Sequence, residues 1–275
     1  MHVRKSFLGN IFGLGKNLNL RIKKIVKKTF KQIYRIVISS IPQLSNRYEQ
    51  VSIKSIIHFI HIGKTGGTAV KHALRQHTRG ERYLMQLHFH DVELRDIPMG
   101  EKVIFFVRDP IKRFVSAFYD RQRKGLPRHY APWSREEESA FREFGSANDL
   151  AKSLSSLDSE KKRKAQKAMD SIYHVNSSFW DWFDNESYFL SRLSDIFFIG
   201  FQETLDKDFG KLREKLHLSE DVKLPVDDMQ SHKIPGHFDK FLEEEALLNL
   251  QVWYAKDYAF YNLCKKIQMQ VNSIR

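Results

Sequence analysis

Ile56-Ile57-His58-Phe59-Ile60-His61-Ile62-Gly63-Lys64-Thr65-Gly66-Gly67-Thr68-Ala69-Val70 is the stretch on which the reading of this chain turns. Its first half is a nearly continuous apolar run, as a strand buried on both faces requires. Its second half is a glycine-rich turn that opens an apolar-periodic segment, predicting a helix over Thr68 to His77 with Val70, Ala73 and Leu74 inward. The N–H groups at such a helix start have no intrahelical partner and stand at the positive end of its dipole. The stretch therefore reads as strand, anion cradle, helix. Gly66 and Gly67 let backbone approach a ligand, Lys64 adds a point charge, and the Thr65 and Thr68 hydroxyls add donors. The order is not that of a Walker A loop, which places Gly-Lys-Ser/Thr at its end.

Two more apolar runs match the first: Val103 to Val107 and Ile196 to Ile199. Helical spacing falls between and after them, over Ile111 to Lys124 and at Leu205, Phe209, Leu212 and Leu216. Alternating strand and helix predicts an α/β fold, a central parallel sheet flanked by helices and related in build to the P-loop nucleotide kinases. At 275 residues, one such domain with appendages is expected. Residues 51–275 are assigned to it, with a charged helical insertion over 125–185. Within that insertion, Lys161-Lys162-Arg163-Lys164 reads as a solvated helix face.

The net charge of +13 is uneven. Residues 1–47 hold 11 Lys and Arg and no Asp or Glu, which leaves 35 basic against 33 acidic residues in the remainder. The main body is thus nearly neutral, which argues against extended nucleic-acid contact. Residues 1–50 form a basic arm in which Leu18, Ile22, Ile25, Ile33 and Val37 recur near a helical period among lysines. That pattern predicts a basic amphipathic helix over 18–37, lying on an anionic membrane surface or packed on the body. No run is long enough to span a membrane, no secretory signal is visible, and a cytoplasmic location is expected, peripheral to a membrane at most. The single cysteine, Cys264, reads as a buried inert thiol.

A second motif follows the second strand: Arg108-Asp109-Pro110-Ile111-Lys112-Arg113-Phe114-Val115-Ser116-Ala117-Phe118-Tyr119. Asp109 suits an N-cap and Pro110 the first helical position. Arg108 at the strand end and Ser116 two turns into the helix are placed to meet one phosphate, since ligands of open α/β sheets bind at strand carboxyl ends.

Together the two motifs resemble the PAPS-dependent sulfotransferases, whose donor is 3′-phosphoadenosine 5′-phosphosulfate. One branch carries H-x-P-K-T-G-G-T-S followed by R-D-P-x-x-R-x-x-S-x-x-Y; Gly63 stands here for the usual Pro and Ala69 for the usual Ser. The resemblance implies that Lys64, Thr65, Gly66, Gly67, Thr68 and Ala69 hold the 5′-phosphosulfate and that Arg108 and Ser116 hold the 3′-phosphate. It implies a PAPS-dependent enzyme that needs no metal, and it extends in weaker pattern over about residues 52–265, including a loop at Ser231 to Gly236. Between the motifs, His88-Phe89-His90 is similar to the glycosaminoglycan 2-O-sulfotransferase branch, which implies His90 as general base and His88 as its support, on one face of a strand. The implied acceptor is a carbohydrate or glycolipid hydroxyl. The rival readings are a phosphoryl-transferring kinase on the same sheet and an arm-driven membrane or nucleic-acid binding protein. Arg121, Arg123 and Lys124 are further anion-site candidates or a solvated helix end, and Phe179-Trp180-Asp181-Trp182-Phe183 is a core cluster or a sugar platform.

Overall fold

The structure, a computed structural model, describes residues 54–127, 129–226 and 240–273. The basic arm and the loop at 231–236 lie outside the described residues. Four parallel strands form one sheet in the order β2-β1-β3-β4: β1 Ser55–Phe59, β2 Tyr83–Leu87, β3 Lys102–Val107 and β4 Ile196–Phe201. The chain runs from central β1 out to β2 on one side, then returns to β3 on the other. The carboxyl ends of β1 and β3 therefore form the switch point where such sheets bind ligands.

The three continuous apolar runs are the strands with both faces covered. Along β3, Val103, Phe105 and Val107 enter one core, whereas Ile104 and Phe106 enter the opposite one. The first face packs on the C-terminal helix. The second packs on α1 (Gly67–Leu74) and α8 (Leu205–Lys215), through Val70, Leu74, Phe209 and Leu212. Strand β2 had no apolar run to announce it. It is an edge strand, with Tyr83 and Met85 buried and Leu84 exposed.

Edge strand β4 is closed by a side chain. The C-terminal helix α10 (Ala255–Ser273) places Asn272 so that its carboxamide accepts from Ile199 N–H at 3.1 Å and donates to Ile199 C=O at 2.9 Å. One amide thus supplies both hydrogen bonds that a further strand would make there.

After α2 (Pro110–Gln122), the helices α3 (Arg135–Glu143), α4 (Ala147–Ser153), α5 (Ser159–Ser171), α6 (Trp180–Phe183) and α7 (Glu186–Ser191) lie between β3 and β4. Helices α3, α4 and α5, with α9 (Glu244–Trp253), bury a third core against α2 through Phe114, Phe118, Phe144, Leu150, Met169 and Leu250. The Lys161–Lys164 run is the outer face of α5, paired at the surface with Asp149, Glu160 and Glu143. Among the described residues no helix is long and apolar enough to cross a membrane.

Arg121 lines the cleft but is not a solvated helix end. It is 5% exposed and its guanidinium donates through Nε and a terminal nitrogen to Glu137, both at 2.7 Å. Glu137 also caps α3 by accepting from Ser134 N–H, and it accepts from Tyr173 N–H. A buried charge stripped of its partner is costly, so Glu137→Ala should lower the unfolding free energy by about 3–5 kcal/mol. Urea unfolding would read this as a lower midpoint. A loss under about 1 kcal/mol would show that the carbonyls of Ala131 and Pro132, which also accept from Arg121, suffice.

Candidate active site

The two motifs meet in a cleft of about 1810 Å³ at the switch point. The turn after β1 ends on Gly66, whose φ of 87° lies in the left-handed region that a side chain resists. Lys64 takes φ 66° without being glycine, a strained backbone of the kind held at functional sites. Helix α1 then starts at Gly67, and the N–H groups of Gly66, Gly67 and Thr68 take no backbone acceptor among the described residues. Unpaired N–H groups at a helix start are of the kind that can hold an anion.

Two of the predicted loop residues turn away from the cleft. The Thr65 hydroxyl donates to Ile62 C=O at 3.0 Å and is buried. Ala69 faces the core, and its N–H donates to Gly66 C=O at 3.1 Å. Neither lines the cleft: Thr65 is tied back into the turn before the helix, and at Ala69 the helix has begun its own ladder. Lys64, Gly66, Gly67, Thr68, Arg108 and Ser116 all line it.

The cationic atoms are poised for an anion. Lys64 Nζ is buried without a hydrogen-bond partner; Asp120 Oδ1 lies 3.3 Å away, at ion-pair distance but outside hydrogen-bond geometry. Burial pulls the Lys64 ammonium down to about 8, and Asp120 pulls the other way. Arg108 donates to Lys64 C=O at 3.3 Å, yet its buried Nε has no partner among the described residues. Orphaned buried donors on two cations that line one cleft fit a polyanionic ligand.

Arg113 holds this loop in place. It is 2% exposed; its Nε donates to Gly63 C=O at 3.1 Å and a terminal nitrogen donates to Ser177 C=O at 2.7 Å. Its guanidinium lies over Phe179 and Trp182, 4.9 and 5.8 Å from the ring centroids. Those aromatics are core, not a sugar platform: Phe179 and Phe183 are fully buried and Trp182 is 5% exposed.

The two histidines after β2 part company. The strand ends at Leu87, so His88 and His90 do not share a strand face. His88 Nε2 meets His58 Nδ1 at 2.8 Å, and His58 Nε2 meets Glu101 Oε2 at 2.5 Å, with the two imidazoles stacked. His88 does not line the cleft; its C=O accepts from Lys71 Nζ at 2.6 Å. His88 thus sits in a His88–His58–Glu101 chain that crosses the sheet from the end of β2 to the start of β3.

His90 does line the cleft. Its Nδ1 lies 2.8 Å from His61 C=O. A carbonyl only accepts, so Nδ1 carries the proton and Nε2 of the neutral ring keeps the lone pair. Burial holds its pKa below the ordinary value, and the field of Lys71 and Lys64 adds to this. Trp182 Nε1 donates to His90 C=O at 3.1 Å, and the His61 ring lies 4.1 Å away.

The sequence reading missed four residues here: Arg113, Asp120, His61 and His174. Asp120 sits one turn beyond Ser116 on the same helix face, and Arg113 stands in the quoted second motif, so periodicity held a signal for both. His174 comes from the distant insertion, and no local pattern announces it. Arg123 pairs with Asp120, and Lys124 lies over the Trp133 ring. Among the described residues no group of three or more His, Cys, Asp or Glu is placed to hold a metal ion.

The Lys64 ammonium should titrate near pH 8, charged below and neutral above, when followed through its ¹³Cε shift. Asp120→Asn removes the opposing attraction and should push the midpoint lower still. A midpoint at the ordinary 10.5 would show that burial does not govern this group.

Residues 50–263 match the model of the Sulfotransferase family. No curated protein and no solved structure matches the chain. The match covers the loop at Lys64, the Arg108 helix, the helices between β3 and β4, and the first half of the C-terminal helix. The cleft it encloses carries the buried cations and free helix N–H groups that a doubly anionic nucleotide donor needs. The chain therefore belongs to the sulfotransferase family and is a PAPS-dependent sulfotransferase.

Proposed function

We propose that this enzyme sulfates a hydroxyl of a carbohydrate or glycolipid, with His90 as general base. The observation that carries the reading is the His90 Nδ1 bond to His61 C=O, which fixes Nε2 as the proton-accepting nitrogen of a histidine in the cleft wall. In this reading Lys64 and the N–H groups of Gly66, Gly67 and Thr68 hold the 5′-phosphosulfate. Arg108 Nε and the Ser116 hydroxyl hold the 3′-phosphate, with Thr65 and Ala69 shaping the turn from behind. PAPS, when bound, supplies the sulfuryl group and a phosphate leaving group. His90 Nε2 takes the acceptor proton as the new O–S bond forms and the bridging S–O bond breaks. Lys64 and the helix N–H groups hold the charge that builds on the departing oxygen.

The rim supports a sugar acceptor. Phe89 is 75% exposed there, with Lys71 Nζ 4.5 Å from its ring centroid, and it offers an aromatic surface to a pyranose beside a cation. The basic arm is proposed to rest on anionic lipid from the cytosolic side through residues 18–37. Flotation should then enrich the protein on anionic vesicles, but not on neutral ones, and deletion of residues 1–47 should abolish this. Equal flotation on both would refute the lipid contact.

Labelled PAPS offered with glycans, glycolipids and simple phenols tests the acceptor. Label on a phenol alone would overturn the carbohydrate reading. His90→Ala should cut turnover by about 10²–10⁴-fold with binding of 3′-phosphoadenosine 5′-phosphate (PAP) unchanged. His88→Ala should cost far less. The acid limb of the rate should fall below pH 6.5, because burial disfavours the protonated, inactive His90. Normal turnover in His90→Ala would remove it as the base.

A further inference from the structure

His174 has a place in the cleft that its local sequence does not explain. It follows α5, in a tight turn closed by Val175 N–H and Asn176 N–H donating to Ile172 C=O. Its φ is 67°, where glycine is cheaper than any side chain. The turn alone needs no imidazole, so the ring itself invites an account. That ring is 8% exposed and lines the cleft. It packs on Tyr173 at 3.9 Å between centroids and meets the His90 ring edge-on at 5.1 Å. Among the described residues neither of its nitrogens has a hydrogen-bond partner. Neither nitrogen is sealed from the cleft, so a bound ligand can meet the ring there.

Gly63 shows that the loop is built around this ring. A Cβ at position 63 would stand 2.3 Å from His174 Nδ1 and 2.5 Å from Cε1. The residue beside Lys64 is therefore small where His174 fills the space a side chain would take. Loop, Lys64, His90 and His174 surround one end of the cleft. Burial holds the His174 pKa well below its ordinary value, and the nearby His90, Lys64 and Arg113 add to this. A neutral imidazole always retains one N–H to donate.

We propose that His174 is a donor-binding residue at the sulfuryl end of the site, giving one ring N–H hydrogen bond to a non-bridging sulfuryl oxygen. The assignment rests on the reading that the Lys64 loop holds the 5′-phosphosulfate. It makes His174 a discriminator between donor and spent donor, since PAP lacks the sulfuryl group. The bond also restrains the sulfuryl group beside His90, where the acceptor oxygen must arrive.

Calorimetry on the full chain, without acceptor, tests this with PAPS and PAP as separate ligands. His174→Phe keeps an aromatic ring and removes the donor. PAPS affinity should fall by about tenfold, the loss expected for one hydrogen bond to a charged group, while PAP affinity stays within about twofold. His174→Gln, which restores an N–H, should recover most of the difference. Gly63→Ala leaves His174 in the chain but forces its ring aside, and should show the same selective loss; it keeps the test open if His174→Phe does not fold. Unchanged PAPS affinity in the folded variants, or equal losses for PAPS and PAP, would overturn the proposal. Failure of the wild-type chain to bind either ligand would instead overturn the donor-site reading on which it rests.

Discussion

The Arg113 guanidinium is the joint on which this site depends. A strand-to-helix turn and a helical insertion have no reason of their own to stay in register. Arg113 connects them by donating to Gly63 C=O on one side and Ser177 C=O on the other. The flanking Phe179 and Trp182 rings keep water from competing for those bonds and give the cation a favourable face. Asp257 adds a carboxylate field and accepts from Phe179 N–H at 2.6 Å, which brings the C-terminal helix into the same arrangement. Burying a guanidinium is expensive, one terminal nitrogen has no hydrogen-bond partner among the described residues, and the other contacts reduce the cost only when all three parts are in place. Loop geometry is thereby tied to completed folding of the insertion.

With the loop fixed, the sheet topology supplies the rest. Strand order places the ends of β1 and β3 side by side, so Lys64 and Arg108 meet although 44 residues separate them. Trp182, from the insertion, then fixes the backbone of His90 across the cleft. Positive charge, free helix N–H groups and a neutral imidazole come from different parts of the chain. Each is positioned by backbone contacts, which suits a site that must not rearrange during reaction.

The sequence was most legible where one constraint dominates. Strands β1, β3 and β4 are buried on both faces, so their apolar runs could mean little else, and the glycine turn before a helix carries its own chemistry. Strand β2 was silent because an edge strand needs only alternate burial, which five residues show poorly. The His88–His90 pair was misplaced because a period-2 argument holds only while the strand lasts, and this one stops at Leu87. Arg121 read as an anion-site candidate or a solvated helix end, and its ion pair went unseen, because its partner, Glu137, lies beyond a proline-containing loop. His174 was invisible for a deeper reason. Its environment is assembled from Gly63 and His90, and only tertiary structure brings them together.

The closure of β4 by Asn272 has a consequence in time. Ile199 offers its N–H and C=O outward as soon as the strand pairs with β3, but the amide that satisfies them lies 73 residues further along the chain. At ribosomal rates of about 5–20 residues per second, that edge stands open for on the order of several seconds on each nascent chain. During this interval the aromatic, β-prone segment Ile196–Phe201 is a template for pairing with a neighbouring copy. The last helix is thus a late-arriving guard on the sheet, and the yield of soluble enzyme in a crowded cell depends on how quickly it docks.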